Sequence, residues 1–369
     1  MPPRAVGPYE VLSVIGRGGV GTVYRARHRD TSQHVALKLL GPPPACDPAA
    51  ARRLAREYEA LEPLRHPNVV RVYEAGVHEG YSFLAMELVE GLDLRSYLSP
   101  AVLDGGVPAP RPCDACSPQL VLDGWSSEPP TTGATAALDP STARCAGPDA
   151  IRAFAALMDE PETDSGPRPL PGARRDPVAA RASPGEAAPI AAIFLERLNA
   201  SRRLDRLQDA MLQVCQGLAY VHSHALVHRD LKPSNIMVDD GRRVRLMDFG
   251  LVRLASEPHQ VNHQGKVVGT YRYMAPEQAR GEEVDHRADL YSVGVILFEL
   301  LCGRPPFVAH CSADLWRDVI ARPAPSIASI NPGVDRHLAG IAERLLAKDR
   351  RERFQDADEV GAAIRGRPR

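Results

Sequence analysis

Two short segments of the chain combine residue types that suit phosphoryl chemistry: HRDLKPSN at residues 228–235 and DFG at residues 248–250. Asp230 can accept a hydroxyl proton, and Lys232 can neutralise charge on a phosphoryl group during transfer. Asn235 and Asp248 offer the oxygen ligands that Mg²⁺ prefers in proteins. The spacing of these groups predicts a site that transfers a phosphoryl group to a hydroxyl.

A glycine-rich segment at residues 16–23 follows one predicted strand and opens another. Glycine lets the backbone approach a phosphate closely and direct its N–H groups at it. On its own, the pattern also fits a glycine-rich hairpin without a ligand. A dinucleotide-binding turn is disfavoured, because it needs a helix directly after the glycines and Thr22-Val23-Tyr24 predicts a strand.

Lys38 and Glu57 form a third candidate feature. Lys38 lies in an apolar strand, where a lysine is rare unless it is paired. Glu57 lies on the inward face of the following helix, beside Leu54 and Leu61. An ion pair between the two would orient Lys38 towards bound phosphates. In the alternative interpretation, Lys38 reaches solvent and Glu57 lies on a wet helix face.

The elements that must position these groups differ between the two ends of the chain. Near the N-terminus, the pattern predicts strands at residues 9–15, 22–27, 34–40, 69–73 and 82–87, and a helix at residues 49–62 that Pro63 ends near Leu61. Towards the C-terminus, it predicts helices at residues 204–224, 289–302, 313–321, 334–347 and 356–364. Asp289 is the expected N-cap of the second of these helices.

Between these parts, residues 99–200 are rich in Pro, Ala, Ser, Thr and Gly and lack the periodicity of a packed core, which predicts a largely flexible insert. Helices are predicted there at residues 149–160 and 189–199. Cys113 and Cys116 make a single C-x-x-C pair, and free thiols are expected because a structural zinc site needs four ligands. The Ser/Thr cluster at residues 126–135 fits a docking or phosphorylation tract, or compositional bias alone.

Composition disfavours several classes of protein. The 369 residues are 44% apolar and 25% charged with a formal net charge of −1, which is ordinary for a globular protein and gives no basic excess for nucleic acid. We find no secretory signal and no apolar run long enough to predict a membrane span. The seven cysteines are odd in number and scattered, which favours reduced thiols and a cytoplasmic location.

Taken in order, the motifs resemble those of the eukaryotic-like protein kinases, of the bacterial serine/threonine type. Residues 16–23 resemble the glycine-rich loop, residues 228–235 the catalytic loop, and residues 248–250 the metal-binding triplet. Ala275-Pro276-Glu277 resembles the end of the activation segment, and residues 289–294 the start of the central helix of the large lobe. The resemblance covers residues 9–98 and about 200–366 and leaves out the insert.

The resemblance implies an α+β, bilobal protein kinase fold. A small lobe at residues 9–90, with a five-stranded antiparallel sheet and one helix, would cover ATP. A larger, mainly helical lobe at residues 91–366, interrupted by the insert at 99–200, would carry the catalytic loop and bind the protein substrate. The lobes would close about a hinge near residues 87–91.

The resemblance also implies a role for individual residues. The implied catalytic set is Asp230, Lys232, Lys38, Glu57 and Thr270, with Thr270 bridging Asp230 and Lys232. The implied nucleotide-binding set is Ile15, Gly16, Gly18, Gly21, Val23, Ala36, Lys38, Met86, Glu87, Leu88, Asp93 and Met237. Met86 would be the gatekeeper, Glu87 would begin the hinge, and Asp93 would lie near the ribose. Asn235 and Asp248 would bind the metal. Leu61, His228 and Phe249 would stack as a packing spine, and Arg353 would pair with Glu277.

The implied activity is transfer of the γ-phosphoryl group of ATP, with Mg²⁺ or alternatively Mn²⁺, to Ser or Thr hydroxyls of protein substrates in bacterial signalling. An inactive, ATP-gated scaffold and a small-molecule kinase are the competing functions. The intact catalytic and metal-binding residues argue against the first, and Ala275-Pro276-Glu277 argues against the second. Ser256 is the one hydroxyl residue at residues 251–269. Activation could therefore use a phosphate on Ser256, a modified Thr270 or a loop that orders without phosphate, and we expect the last. The insert is the candidate for regulator binding.

Overall fold

Antiparallel strands dominate the N-terminal part of the chain. The computed structural model describes residues 3–18, 21–40, 48–103, 145–146, 187–249, 269–309 and 312–366. Its larger sheet contains β1 (Ala5–Val6), β2 (Tyr9–Gly18), β3 (Gly21–His28), β4 (His34–Leu39), β5 (Val72–His78), β6 (Tyr81–Glu87) and β8 (Cys145–Ala146), in the spatial order β1-β2-β3-β4-β6-β5-β8. The strands β2 to β6 are the five expected from the sequence, and the two-residue strands β1 and β8 add one edge on each side.

The strand predicted at residues 69–73 is wrong in its position, because β5 begins only at Val72. The apolar residues before β5 pair with another part of the chain. Val69 forms a parallel bridge with Leu246, and the Val70 N–H donates to the Leu246 carbonyl at 3.0 Å. This segment therefore joins the two halves of the molecule instead of extending the sheet.

One helix, α1 (Pro48–Leu61), packs against the inner face of the sheet at β5 and β6. It ends before Pro63, as predicted. Residues along β6 alternate between two apolar clusters, as the period of a strand requires. Leu84 and Met86 join the core that α1 shares with the helical half, whereas Phe83 and Ala85 join a smaller cluster on the outer face. This alternation places Met86 on the side of the sheet that faces the helices.

A small sheet and a set of helices make up the rest of the described chain. The strands β7 (Gly91–Asp93), β9 (Ile236–Asp239) and β10 (Val244–Leu246) pair in the order β10-β9-β7. The helices are α2 (Leu94–Tyr97), α3 (Pro100–Leu103), α4 (Ala187–Leu198), α5 (Ser201–Ser223), α6 (Pro276–Arg280), α7 (Arg287–Cys302), α8 (Ser312–Ala321), α9 (Ile327–Ile330), α10 (Arg336–Leu345) and α11 (Ala357–Arg365). Short 3₁₀ turns occupy Pro233–Asn235 and Gly269–Tyr273. A sheet-rich half and a helical half therefore form the bilobal α+β fold that the sequence predicts.

The helix α7 is the apolar centre of the helical half, with buried residues on almost every side. The helix α10 packs so closely against it that a Cβ atom added at Gly294 would lie 2.7 Å from the Leu345 Cβ. The helix begins at Arg287, after the cap residue His286, so the prediction that Asp289 is the N-cap is wrong. Asp289 lies inside the first turn, and its carboxylate binds the backbone of another segment.

Arg203, on α5, joins the two ends of the insert to α7. Its buried guanidinium donates to the carbonyl oxygens of Leu98 at 2.8 Å, Leu198 at 2.9 Å and Leu300 at 2.8 Å. Burial lowers the pKa of this guanidinium to about 10. Because Leu98 lies just before the insert and Leu198 ends α4, the entry and the exit of the insert lie side by side.

The helix predicted at residues 189–199 is present as α4. The helix predicted at residues 149–160, the Cys113–Cys116 pair and the Ser/Thr cluster at residues 126–135 lie outside the described residues. Within the described ranges, no helix combines the length and the apolar character that a bilayer crossing requires.

Candidate active site

Lys38 is the central cation of a cleft between the two halves. It lies on β4, and its Nζ is 3.3 Å from Glu57 Oε2 on α1 and 3.1 Å from Asp248 Oδ1. Burial alone would lower the pKa of Lys38, but the two carboxylates outweigh burial and raise it. The pKa of Asp248 is lowered, chiefly by the charge of Lys38. Burial raises the pKa of Glu57 against the opposing effect of Lys38. The structure therefore brings together a charged ammonium and two carboxylates from three separate segments.

The segment at residues 228–235 folds around the side chain of Asn235. The Asn235 Nδ2 group donates to the Asp230 carbonyl at 2.9 Å, to Asp230 Oδ2 at 3.3 Å and to the Asp248 carbonyl at 3.4 Å. The Asn235 carbonyl accepts from the Met247 N–H at 2.9 Å. Asn235 thus fixes the predicted catalytic loop to the segment that carries Asp248.

Lys232 and Asp230 form a direct ion pair, with Lys232 Nζ 3.2 Å from Asp230 Oδ2. The Asp230 side chain keeps about a quarter of its surface exposed, at 25%. A carboxylate that is held in place and still open on one side can accept a proton from an incoming hydroxyl. The predicted bridge through Thr270 lies outside the described side chains, although the Thr270 backbone belongs to the 3₁₀ turn at Gly269–Tyr273.

Asp289 anchors the catalytic loop from the central helix α7. Its carboxylate accepts from the backbone N–H groups of His228 and Arg229, both at 2.8 Å, and from His222 Nε2 at 2.9 Å. The Arg229 backbone has a φ of 64°, in the left-handed region that a side chain normally avoids. The Arg229 carbonyl accepts from Gln278 Nε2 at 3.0 Å. This loop conformation is therefore held from both sides, and the sequence did not reveal either support.

His228 and Phe249 pack together behind the cleft, with ring centroids 4.4 Å apart. His228 Nε2 lies 3.0 Å from the Met247 carbonyl, which requires the proton to be on Nε2. Burial lowers the pKa of His228, so the ring is neutral. Leu61 and Phe249 belong to the same apolar cluster. The structure thus shows the contact between His228 and Phe249, and it places Leu61 in the apolar core that Phe249 shares.

The described residues of the glycine-rich segment, 16–18 and 21–23, pair with each other across β2 and β3. Gly16 and Gly18 lie on β2, and Gly18 pairs with Gly21 at the start of β3. Gly21 has a φ of 144°, and a Cβ atom there would collide with the Leu39 carbonyl oxygen. Only glycine fits this position. At Gly16, no atom lies within 4 Å of an added Cβ, so its backbone is open to a ligand.

Apolar side chains predicted to surround the adenine lie near the junction of the two sheets. Ala36, Met86 and Met237 are buried, and Ala36 and Met86 pair directly across β4 and β6. Val23 and Leu88 are partly buried against the same core, and Ile15 is 41% exposed. These residues could line a flat apolar slot beside Lys38.

The two polar residues predicted to flank that slot already have protein partners. Glu87 receives a hydrogen bond from Arg245 Nε at 3.2 Å. Asp93 caps α2, because its carboxylate accepts from the Ser96 N–H at 3.0 Å and from Ser96 Oγ at 2.9 Å. Asp93 thus lies where the chain passes from β7 into α2.

Oxygen donors for a divalent cation are present in the same cleft. The Asp248 side chain is 39% exposed, and its backbone adopts a φ of 50°, in the left-handed region. Because the Asn235 Nδ2 group binds Asp230, its Oδ1 is the amide atom that can serve a cation. Carboxylate and amide oxygens suit a hard cation that keeps waters and phosphates as its other ligands. Across the described parts of the chain, no cluster of three or more His, Cys, Asp or Glu side chains forms a separate metal site.

Glu277 and Arg353 form the ion pair that the resemblance implied. Arg353 Nη1 and Nη2 bind the two oxygens of Glu277 at 2.7 and 2.8 Å, and both side chains are buried. Arg353 also donates to the carbonyls of Ala347 and Arg287. Gly250 and Ser256 lie outside the described residues.

Known proteins share both this sequence pattern and this fold. Residues 9–354 match the family described as protein tyrosine and serine/threonine kinase. The chain belongs to this protein kinase family. The kinase is 26% identical to the serine/threonine-protein kinase PrkC of Bacillus subtilis, over 98% of this chain and 41% of the relative. It is 30% identical to the DNA damage-responsive serine/threonine-protein kinase RqkA of Deinococcus radiodurans, over 97% of this chain and 38% of the relative.

A crystal structure of the Mycobacterium tuberculosis PknI kinase domain superposes on the kinase with a TM-score of 0.54 at 22% identity, covering 98% of this chain and 96% of that chain. This likeness confirms the bilobal fold. PrkC and RqkA are both named serine/threonine-protein kinases and come from bacteria, in keeping with the resemblance found in the sequence. The chain spans about two-fifths of the length of the curated relatives that it matches (41% and 38%).

Proposed function

We propose that the kinase transfers the γ-phosphoryl group of ATP to Ser or Thr hydroxyls of protein substrates in bacterial signalling. The observation that carries the proposal is the convergence of four side chains from three segments on one cleft. Lys38 contacts Asp248 at 3.1 Å, and Asn235 contacts both Asp230 and the Asp248 backbone. We assign residues 9–90 to the lobe that covers ATP and residues 91–366 to the lobe that binds the protein substrate.

The position of each charged side chain suits one role in phosphoryl transfer. Lys38, oriented by Glu57 at 3.3 Å, binds the phosphates of ATP. Asp230 orients the acceptor hydroxyl and receives its proton, and Lys232 at 3.2 Å balances the charge of the moving phosphoryl group. Asp289 and Gln278 exclude other conformations of the loop, so little reorganisation remains at the moment of reaction.

The Asp248 carboxylate and Asn235 Oδ1 would hold Mg²⁺, or alternatively Mn²⁺. When bound, such a cation neutralises charge on the ATP phosphates. The adenine would lie between Val23 and Ala36 above and Met237 below, with the backbone of Glu87 and Leu88 beside it. We expect the kinase to act in the cytoplasm, where ATP is available and its cysteines stay reduced.

The test is phosphorylation of a generic basic protein by the purified kinase with Mg²⁺ and labelled ATP. Asp230→Asn removes the proton acceptor and keeps the shape of the side chain, so we expect kcat to fall by about 10²–10⁴-fold. Asp240→Asn, at an exposed position directly after β9, is the control with the same change of side chain and should leave kcat unchanged. Equal and negligible transfer by the wild type and by Asp230→Asn, with ATP still bound, would favour a scaffold instead of an enzyme.

A further inference from the structure

Arg245 connects the start of the hinge to the large lobe. It lies on β10 in register with Met237, the residue proposed to contact the underside of the adenine. Its Nε donates to Glu87 Oε1 at 3.2 Å, and Glu87 is the last residue of β6. A single side chain therefore joins a strand of the large lobe to the segment that would bind the edge of the adenine.

The same guanidinium reaches a third segment, the loop between α1 and β5. Arg245 Nη1 donates to the carbonyl of Pro67 in that loop. The other oxygen of the Glu87 carboxylate accepts from the Arg71 N–H at 3.3 Å, and the Glu87 N–H donates to the Arg71 carbonyl at 2.8 Å. Glu87 is thus held by the Arg245 side chain on one side and by the backbone of Arg71, directly before β5, on the other.

The loop itself has independent connections to the large lobe. Asn68 Nδ2 donates to the Val244 carbonyl and to Gln213 Oε1, both at 3.0 Å. The Leu246 N–H donates to the Asn68 carbonyl at 2.9 Å. If Arg245 is lost, the contacts of Asn68 therefore still attach the loop to the large lobe. The contact that is lost without replacement is the one with Glu87.

The Arg245–Glu87 pair is sheltered enough for its geometry to matter. The two side chains are 13% and 29% exposed. A partly buried guanidinium–carboxylate pair is less screened than a surface pair and holds a more definite geometry. The pair thereby holds the main chain at Glu87 at a fixed distance from Met237, and this distance determines the space available for the adenine in the proposed slot.

We propose that Arg245 is a positioning residue for adenine binding, which it controls by holding the hinge at Glu87. This inference rests on the proposed function, because it takes the apolar slot to be the nucleotide site. Arg245 touches neither the phosphates nor the acceptor hydroxyl in this arrangement, so its loss should weaken binding of substrate and transition state alike. Such a loss raises KM and leaves kcat almost unchanged.

The experiment compares Arg245→Met, Glu87→Gln and the double variant, with Arg243→Met as the control at an exposed neighbouring position on the same hairpin. We expect Arg245→Met to raise the KM for ATP and the Kd for ADP about tenfold, with kcat within about twofold. Glu87→Gln retains a hydrogen-bond acceptor and should have a smaller effect in the same direction. The double variant should be no weaker than Arg245→Met, because both changes remove one interaction.

Three readouts separate positioning from general destabilisation. Adenosine binding should weaken by the same factor as ADP binding, whereas tripolyphosphate binding should not change. Hydrogen exchange at residues 86–91 should accelerate in Arg245→Met and not in Arg243→Met. Unchanged adenosine binding, or equal loss of adenosine and tripolyphosphate binding, would overturn the inference. If the wild type binds ADP and transfers no phosphate, the proposed activity fails, and the binding measurements still decide the role of Arg245.

Discussion

At the scale of single residues, the single positive charge of Lys38 lies beside two carboxylates, those of Glu57 and Asp248. The Glu57 side chain is 9% exposed, so the Lys38 charge is what offsets the cost of burying its carboxylate. The Asp248 side chain is 39% exposed, so solvent or a cation can also bind its carboxylate. An unpaired buried charge is costly, and this cost keeps Lys38 attached to Glu57. Asp248 is therefore the partner that can exchange Lys38 for a bound cation.

Substitutions at Lys38 and Glu57 test the part that each residue plays in phosphoryl transfer. We expect Lys38→Met to lower kcat by about 10²–10³-fold, because the ammonium that binds the phosphates is lost. Glu57→Gln should lower kcat less, since Lys38 stays in the cleft but is less well oriented. Phosphorylation under single-turnover conditions measures the chemical step for both variants. A Lys38→Met rate close to that of the wild type would remove Lys38 from the site.

Asp285 gives a pH-dependent prediction away from the cleft. Burial raises its pKa, but hydrogen bonds from Arg287 and the charge of Arg350 outweigh burial and lower the pKa to about 2. Because the folded-state pKa is depressed, the stabilisation is complete above about pH 4, the ordinary range of an unfolded Asp, and is lost as the pH falls through about 2.

We therefore expect Asp285→Asn to lower the free energy of unfolding by roughly 1–3 kcal/mol at pH 7 and by progressively less below pH 4. Denaturant unfolding at several pH values measures the gap between variant and wild type. Asp314→Asn is the control, since its pair with Arg317 on α8 is exposed and such pairs contribute little. A gap that stays constant down to pH 2 would contradict the assignment.

At the scale of elements, Arg203 shows how a buried cation can join helices without a carboxylate. Its three hydrogen bonds end on carbonyls near the ends of α2, α4 and α7. Carbonyls at the C-terminal end of a helix have no partner within the helix and carry partial negative charge. The guanidinium fork satisfies carbonyls from three helices at once, which a lysine ammonium on a flexible stem would do less well.

We expect Arg203→Met to lower the free energy of unfolding by roughly 3–6 kcal/mol, because up to three buried acceptors lose their donor. Arg203→Lys should recover part of that loss. Arg202→Met, at the exposed neighbouring position, is the control and should change stability by less than about 0.5 kcal/mol. Thermal and denaturant unfolding measure all three variants, and equal effects of Arg203→Met and Arg202→Met would contradict this role.

Sequence reasoning succeeded where the signal is local and failed where it is distant. The hairpin at residues 16–23, the helix that carries Glu57 and the apolar helix α7 follow from spacing over a few turns or strands. The role of Asp289 could not be found in that way, because its backbone partners lie 60 and 61 residues away. Val69 and Val70 were predicted to belong to the strand at residues 69–73, but Val69 pairs with Leu246 instead. Apolar spacing does not reveal which strand a segment will pair with.

At the scale of the whole molecule, the two lobes share one apolar core. Ala36, Leu84 and Met86 from the sheet belong to the same buried cluster as Phe298 and Leu338 from the helical lobe. Polar links at Lys38, Arg245 and Asn68 cross the same boundary. The boundary between the two lobes is therefore held by apolar packing and by polar contacts together.

The two ends of the insert lie close together on the large lobe. Arg203 holds Leu98 and Leu198 together, and Asn199 and Asn331 exchange amide hydrogen bonds of 2.8 and 2.9 Å just beyond α4. The ends of the insert are thus fixed by residues outside residues 104–186. A linker of about ten Gly and Ser residues reaches roughly 33 Å when extended, and we expect it to replace those residues without pulling α3 or α4 out of place.

We expect this replacement to keep phosphoryl transfer and to raise the free energy of unfolding by up to about 2 kcal/mol, because an eightfold shorter connection loses less entropy on closure. The replacement also removes β8 and its pairing with β5, which reduces that gain. The measurements are denaturant unfolding and kcat for the replacement, alone and combined with Arg203→Met. The covalent linker takes over part of the joining role of Arg203, so Arg203→Met should cost less in the shortened chain. A lower stability of the replacement alone would instead show that residues 104–186 contribute packing to the folded kinase.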